Sequence, residues 1–330
     1  MKNNPISIAP MMDYTDRHYR YFMRQISKKV LLYTEMVVSS TIKYASKDGR
    51  LDKYLGFSPQ ELPLCIQLGG NNPQELGEAS IICQDYGYSE INLNVGCPSN
   101  RVQSGAFGAC LMKNPNLVAE CLLTMKNKVS IPISVKHRIG VDDLDSYEDL
   151  SNFIKIVSSV GVNKFIIHAR KAWLQGLSPK ENRTVPPLRY EEVYQIKKDF
   201  PHLNIEINGQ IKTIQQISTN LEKVDGVMIG REAYENPWLF SEFDTTFYHQ
   251  KSNPSSSREE VLLKMREYPQ ILKNLHLSPH SFIRHMMGLY KGIKGARNYR
   301  SFLTEKIQEK VTNEQFLNEF LELNSKFSKQ

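Results

Sequence analysis

Eight short runs rich in Ile, Val and Leu recur through the first 240 or so residues, and amphipathic stretches separate them. The runs cover residues 6–12, 31–36, 63–69, 90–97, 131–138, 164–170, 204–209 and 226–231. Nearly continuous apolar character is what strands covered on both faces require. The segments between them, among them 73–86, 115–128, 147–160, 190–200 and 211–221, carry helical spacing. Asn72-Pro73 and Asn114-Pro115 place a proline at the first helical position, where its missing N–H costs nothing. Strict alternation of this kind predicts an α/β chain folded as a (β/α)8 TIM barrel. A doubly wound open sheet is the alternative, weakened because no GxGxxG follows the first run.

After Phe240 the pattern changes. Residues 252–257, Ser-Asn-Pro-Ser-Ser-Ser, read as a linker. Only helical periods follow, over 258–274, 278–291, 296–310 and 313–327. The sequence therefore predicts a barrel domain over 1–245, a linker over 246–257 and a small all-helical domain over 258–330. The charge is uneven. Of a net +7, residues 251–330 carry 14 Lys/Arg against 8 Asp/Glu. Arg284, Lys291, Lys294, Arg297 and Arg300 follow one another with no intervening acid. A basic module beside a nearly neutral body suits a polyanionic partner, although a solvated face gives the same signature. No apolar run is long enough to span a membrane, and the first residues lack a secretory h-region. The five cysteines include no CxxC pair and no metal-ligand spacing, which points to a reducing cytoplasm.

In a barrel, chemistry gathers at the C-terminal strand tips. Here the tips read Ala9-Pro10-Met11-Met12, Gln67-Leu68-Gly69-Gly70, Asn94-Val95-Gly96-Cys97, Lys136-His137-Arg138, His168-Ala169-Arg170, Asn208-Gly209-Gln210 and Gly230-Arg231. Each admits a plain structural reading. Cys97 could fill a turn as a small apolar group, Lys136 could be a rim charge, and His168 a core histidine. The set as a whole favours a phosphate-bearing cofactor on the barrel top. Glycines after the last two strands permit close backbone approach to an anion, with Arg231 as a charged donor. A thiol, Cys97, then lies across from the cofactor. Acids near the tips, Asp13 and Glu35, have no His cluster to make a metal site. Residues 171–189 form a long basic loop above this face, of the length typical of lids and binding loops.

These residues resemble the bacterial tRNA-dihydrouridine synthases, and among them the A subfamily. The likeness is carried by Ala9–His18 (APMMDYTDRH), Glu90–Ser99 (EINLNVGCPS), Phe165–Trp173 (FIIHARKAW), Gly176–Arg183 (GLSPKENR), Asp225–Tyr234 (DGVMIGREAY) and Arg284-His285-Met286, across nearly the whole chain. The resemblance implies an oxidoreductase that reduces the 5,6 double bond of D-loop uridines 20 and 20a with FMN and NADPH. A flavin hydride would go to C6, and Cys97 would protonate C5. Pro10, Met11 and Met12 would line the flavin ring, and Gln67, Lys136 and His168 would bond the flavin or its ribityl chain. Asn208, Gly209, Gln210, Gly230 and Arg231 would hold the phosphate end. Asn94 would contact the target uridine, while Lys180, Arg183, Arg297 and Arg300 would contact tRNA. The resemblance further implies a metal-free, cytoplasmic, non-membrane protein, compatible with a monomer. A flavin reductase of free pyrimidines and an inactive RNA-binding module are the alternatives. Two positions depart from the family pattern: His137 replaces its usual Thr, and Gln210 its usual second Gly. Gln210 matters more, because a turn with positive φ there strains any side chain.

Overall fold

A computed structural model of the chain describes residues 5–277 and 279–309. All eight expected strands are present: β1 Ile6–Ile8, β2 Leu32–Val38, β3 Leu64–Gly69, β4 Glu90–Val95, β5 Ile133–Arg138, β6 Lys164–His168, β7 Asn204–Asn208 and β8 Gly226–Ile229. They lie in the order β1-β8-β7-β6-β5-β4-β3-β2, all pairs parallel. The two ends of that order meet. Ser7 bridges Leu31, just before β2, and Ile8 N donates to Leu31 O at 3.0 Å. The sheet closes on itself, so the barrel stands and the open sheet does not. β1 stops at Ile8, short of the expected Met12, because Pro10 has no N–H for the ladder.

The chain divides into two compact units. One runs to Met12, then over Leu31–Phe57 and Leu62–Gly230, and is the barrel. Its helices start as the sequence dictates. The Asn72 side chain accepts from Glu75 N at 3.0 Å and Asn114 from Leu117 N at 3.2 Å, each just before a proline. Along the strands, alternate residues face outward to the helices: Ile91, Leu93, Val135, Phe165, Ile167, Ile205, Ile207 and Val227 are fully buried there. Each such side chain contributes about 1.5–3 kcal/mol by leaving water. The residues between them point into the barrel, and many are polar.

The second unit gathers Asp13–Val30, Ser58–Glu61 and the chain from Arg231 onward. The helix Arg17–Arg24 thus packs with the C-terminal helices. Asp16 caps it and binds Arg284 at 2.8 Å and His285 at 3.0 Å. Buried Arg20 pairs with buried Glu61 at 2.7 Å. Fully buried Arg24 donates to the carbonyls of Glu61, Ser27 and Val30. In the stretch 252–257, Ser255 is buried and donates to Gln25 O at 2.8 Å. The expected helix over 258–274 is two, Arg258–Lys264 and Tyr268–Asn274, around a 3-10 turn at Met265–Glu267. Pro269 explains the break, since it fits only the first turn of the second helix. Pro279–Met286 is a 3-10 helix, and Ala296–Glu309 is an α-helix. The expected helix over 313–327 lies outside the described residues. Among the described residues no helix is long and apolar enough to cross a membrane.

Candidate active site

The turn that carries Cys97 is fixed on every side. Asn94 Oδ1 accepts from Gly96 N at 3.1 Å and from Cys97 N at 3.0 Å. Cys97 O accepts from Ala109 N at 2.9 Å. Arg138 Nε donates to Gly96 O at 2.9 Å, and Gln103 Nε2 to Pro98 O at 2.8 Å. Gly108, at φ +65°, passes so close behind this turn that a Cβ there would sit 2.6 Å from Cys97 O. The thiol is half-buried, and Sγ lies 3.5 Å from Ser99 Oγ. The plain reading of Cys97 as a filler does not fit a half-exposed thiol held this firmly.

Around it the strand tips bring cations together. Lys136 neighbours Asn94 in register, Arg138 neighbours His168, and His168 neighbours Asn208. Burial pushes the Lys136 ammonium down to about 8, with Arg138 repelling it and Cys97 acting the other way. Burial also holds the His168 imidazole well below its usual range, and Arg138, Lys136, Arg170 and Arg183 all act in the same direction. His168 is therefore neutral at physiological pH. Arg138 is lowered to about 10, mainly by burial. Neighbouring His137 turns outward into the core, between Phe153 and Phe165, with Nδ1 2.7 Å from Arg138 O. The Thr-to-His departure therefore falls on the helix-facing side of β5.

Gln67 is buried on β3 and shares a hydrogen bond with Asn94. Asn208 Nδ2 donates to Met228 O at 2.8 Å, joining the tips of β7 and β8. Gly209 has φ +140°, and a Cβ there would meet Leu188 at 2.8 Å. Gln210 does adopt a left-handed backbone, φ +54°. Its Oε1 accepts from Arg170 Nη2 at 2.7 Å, and Arg170 also donates to Pro186 O, so the side chain that strains the turn is tied through Arg170 to the long loop. Gly230 has open space: an added Cβ would meet only Ala9 Cβ, at 3.9 Å. Pro10 and Met11 are half-buried after β1, and Met12 is exposed. Arg231 is exposed and opens the short helix Arg231–Glu235 of the second unit.

The long loop is less cationic than its sequence suggests. Asp145 binds both Lys171, at 2.9 Å, and Arg189. Lys180 and Arg183 are exposed at a 3-10 turn over Glu181–Arg183. That turn is anchored by fully buried Asn182, whose amide joins Trp173, Leu177 and Ser178. In the second unit, Arg297 and Arg300 are exposed and line a shallow depression of about 600 Å³ with Met287, Ser301, Thr304 and Glu305.

The sequence reading missed Arg138 and Arg170 as braces, Gln103 as a clamp, and the inward polar residues Glu90, Asn92, Ser134, Lys164 and Glu206. The available signal was polar residues at alternate positions of otherwise apolar strands, as in Glu90, Asn92 and Asn94.

Residues 7–325 match the family described as dihydrouridine synthase (Dus). The chain is 54% identical over 302 residues to a tRNA-dihydrouridine(20/20a) synthase of Synechocystis, covering 92% of this chain and 89% of the relative. It is 52% identical to the Shewanella oneidensis protein of that name, covering 91% and 88%, and 50% identical to that of Escherichia coli K12, covering 91% and 85%. Among solved structures, a 2-naphthoyl-CoA reductase shares the fold with a TM-score of 0.51 at 11% identity, over 72% of this chain and about half (49%) of the reductase. A barrel with a pinned thiol at the tip of β4, matched over nearly its full length, places this chain in the dihydrouridine synthase family.

Proposed function

We propose that this chain reduces uridines 20 and 20a in the tRNA D-loop to dihydrouridine, using bound FMN and NADPH as the reductant. The observation that carries the reading is the Cys97 turn, held on the same barrel face as Lys136 and Arg138 at the tip of β5. The shared name of the relatives supports substrate and position.

The donor set fits a flavin. Lys136 and Gln67 supply N–H donors, neutral His168 supplies one more, and the open space at Gly230 suits a phosphate oxygen. Asn208, Gly209 and Gln210 would hold the phosphate end, with Arg231 assigned on its place directly after Gly230. Pro10, Met11 and Met12 would cover the ring. A flavin held there would supply the hydride chemistry at C6 of the uracil.

The chain's own residues do the rest. Cys97 holds a proton at Sγ and delivers it to C5. Asn94 orients the base, and Lys136 offsets negative charge developing on the ring system. The target base must leave its stack to enter the barrel. Lys180, Arg183, Arg297 and Arg300 hold tRNA phosphates. The enzyme works as a metal-free cytoplasmic monomer.

The test is incubation with NADPH and tRNA from a dihydrouridine-deficient strain, followed by mass spectrometry of the digested RNA. A gain of two hydrogens at D-loop uridines is expected. Cys97→Ala keeps the yellow colour and loses about 10²–10⁴-fold in turnover; full activity in that variant would overturn the acid role. Reduction of free uracil but not tRNA would favour the pyrimidine reductase, and a colourless, inert protein the RNA-binding module.

A further inference from the structure

Beneath the strand tips, an unbroken hydrogen-bond ladder runs through the barrel interior. Asn94 Nδ2 donates to Gln67 Oε1 at 2.9 Å, and Gln67 Nε2 to Asn92 Oδ1 at 2.8 Å. Asn92 Nδ2 donates to Ser134 Oγ at 2.9 Å, and Ser134 Oγ to Glu90 Oε1 at 2.5 Å. At the foot, Lys164 Nζ binds Glu90 Oε2 at 2.9 Å and Glu206 Oε1 at 3.1 Å. All five side chains from Asn94 to Glu90 are buried, and Asn92 and Ser134 are fully so.

The ladder has a direction, and its two ends agree on it. At the foot, the Glu90 carboxylate accepts a hydrogen bond from Lys164 Nζ and, as an acceptor only, must accept the next bond too, so Ser134 donates. At the top, the backbone N–H groups of Gly96 and Cys97 can only donate, so Asn94 must present its oxygen to them. Both constraints demand the same amide orientation at Asn92, Gln67 and Asn94. Reversing any one amide sets donor against donor. Two backbone donors also fill both lone pairs of Asn94 Oδ1, and one of its two N–H groups is spent on Gln67. Asn94 therefore offers a ligand a single donor and no acceptor.

We propose that Ser134 and Glu90 are positioning residues: through Asn92 and Gln67 they hold Asn94 in one orientation, and through Asn94 the turn that carries Cys97. This rests on the roles given above to Asn94 and Cys97. Neither Ser134 nor Glu90 reaches a strand tip, so their effect on the thiol passes through the ladder.

The experiment is alkylation of the flavin-free protein by iodoacetamide, read peptide by peptide by mass spectrometry. Asn94→Ala and Ser134→Ala are each expected to raise the Cys97 rate about tenfold and to leave Cys110 unchanged. In the Asn94→Ala background, Ser134→Ala should add nothing, because its effect runs through Asn94. Glu90→Gln, close in shape, should give a smaller effect of the same sign and serves if Ser134→Ala does not fold. Ser134→Thr, which keeps the hydroxyl, should restore the wild-type rate. In the loaded enzyme, Ser134→Ala should lower kcat about tenfold with KM for tRNA unchanged. A Cys97 rate unmoved by Ser134→Ala and Glu90→Gln, or rates that combine independently with Asn94→Ala, would overturn the ladder. Full tRNA reduction by Asn94→Ala and Cys97→Ala would instead overturn the roles on which it rests.

Discussion

Lys164 and Lys136 stand on adjacent strands, both facing into the barrel, and their surroundings drive them in opposite directions. Burial pushes both down. At the floor, Glu206 and Glu90 outweigh that effect and hold the Lys164 ammonium above its ordinary value. At the roof, Arg138 adds to the burial of Lys136 and takes it to about 8. At the floor one ammonium is shared by two carboxylates. Lys136, Arg138, Arg170, Arg183 and His168 instead crowd the roof with positive charge or latent positive charge. Two carboxylates set the state of Lys164, whereas burial and a neighbouring arginine set that of Lys136. That difference separates the two lysines more sharply than burial does.

The comparison can be broken most decisively at the floor. Lys164→Met leaves Glu90 and Glu206 buried without their cation, at an expected loss of about 3–5 kcal/mol in urea unfolding. An unchanged midpoint would show that the floor pair does not stabilise the barrel. The roof variant Lys136→Met should behave oppositely, losing flavin affinity about tenfold without loss of stability.

The pH dependence of stability sharpens the contrast. Lys136 has a folded value of about 8, against an ordinary 10.5. Between these values the unfolded chain holds more protons than the folded one, so the Lys136 contribution to stability rises with pH. Its penalty is full below about pH 8 and gone above about 10.5. The stability difference between wild type and Lys136→Met should follow that curve in paired urea titrations. A pH-independent difference would place Lys136 in the same class as Lys164.

The smallest effect concerns the phosphate turn. Gln210→Gly relieves a left-handed backbone but gives up the Arg170 bond, and should fall within about 0.5 kcal/mol of wild type. Gln210→Ala keeps the strain and loses the bond, at an expected cost of about 1 kcal/mol. Equal stabilities for the Gly and Ala variants would show that the turn is unstrained.

Much of this was legible in the chain. The eight apolar runs became eight strands, and Asn72-Pro73 and Asn114-Pro115 opened helices at those residues. Cys97, Lys136, His168 and Gly230 all sit at or just beyond strand tips, since position along a parallel strand is a local property. Less legible were relations across strands. Asp145 binds Lys171 and Arg189, residues distant from it in sequence, so the basic look of residues 171–189 overstated the loop's charge. The helix Arg17–Arg24 carries the apolar face any barrel helix would, yet it belongs to the second unit.

By itself the sequence determined the strand count, the helix starts, the thiol at the tip of β4 and the family motif around it. These follow from short-range periodicity and from the fixed conformations of proline and glycine. Only the tertiary structure decided which polar residues face one another inside the barrel. A lysine on β5 and a lysine on β6 read alike in the chain, and closure of the sheet gave one two carboxylates and the other an arginine. The sense of the Asn94-to-Glu90 ladder was decided the same way, because a hydrogen bond's direction depends on what stands at both of its ends.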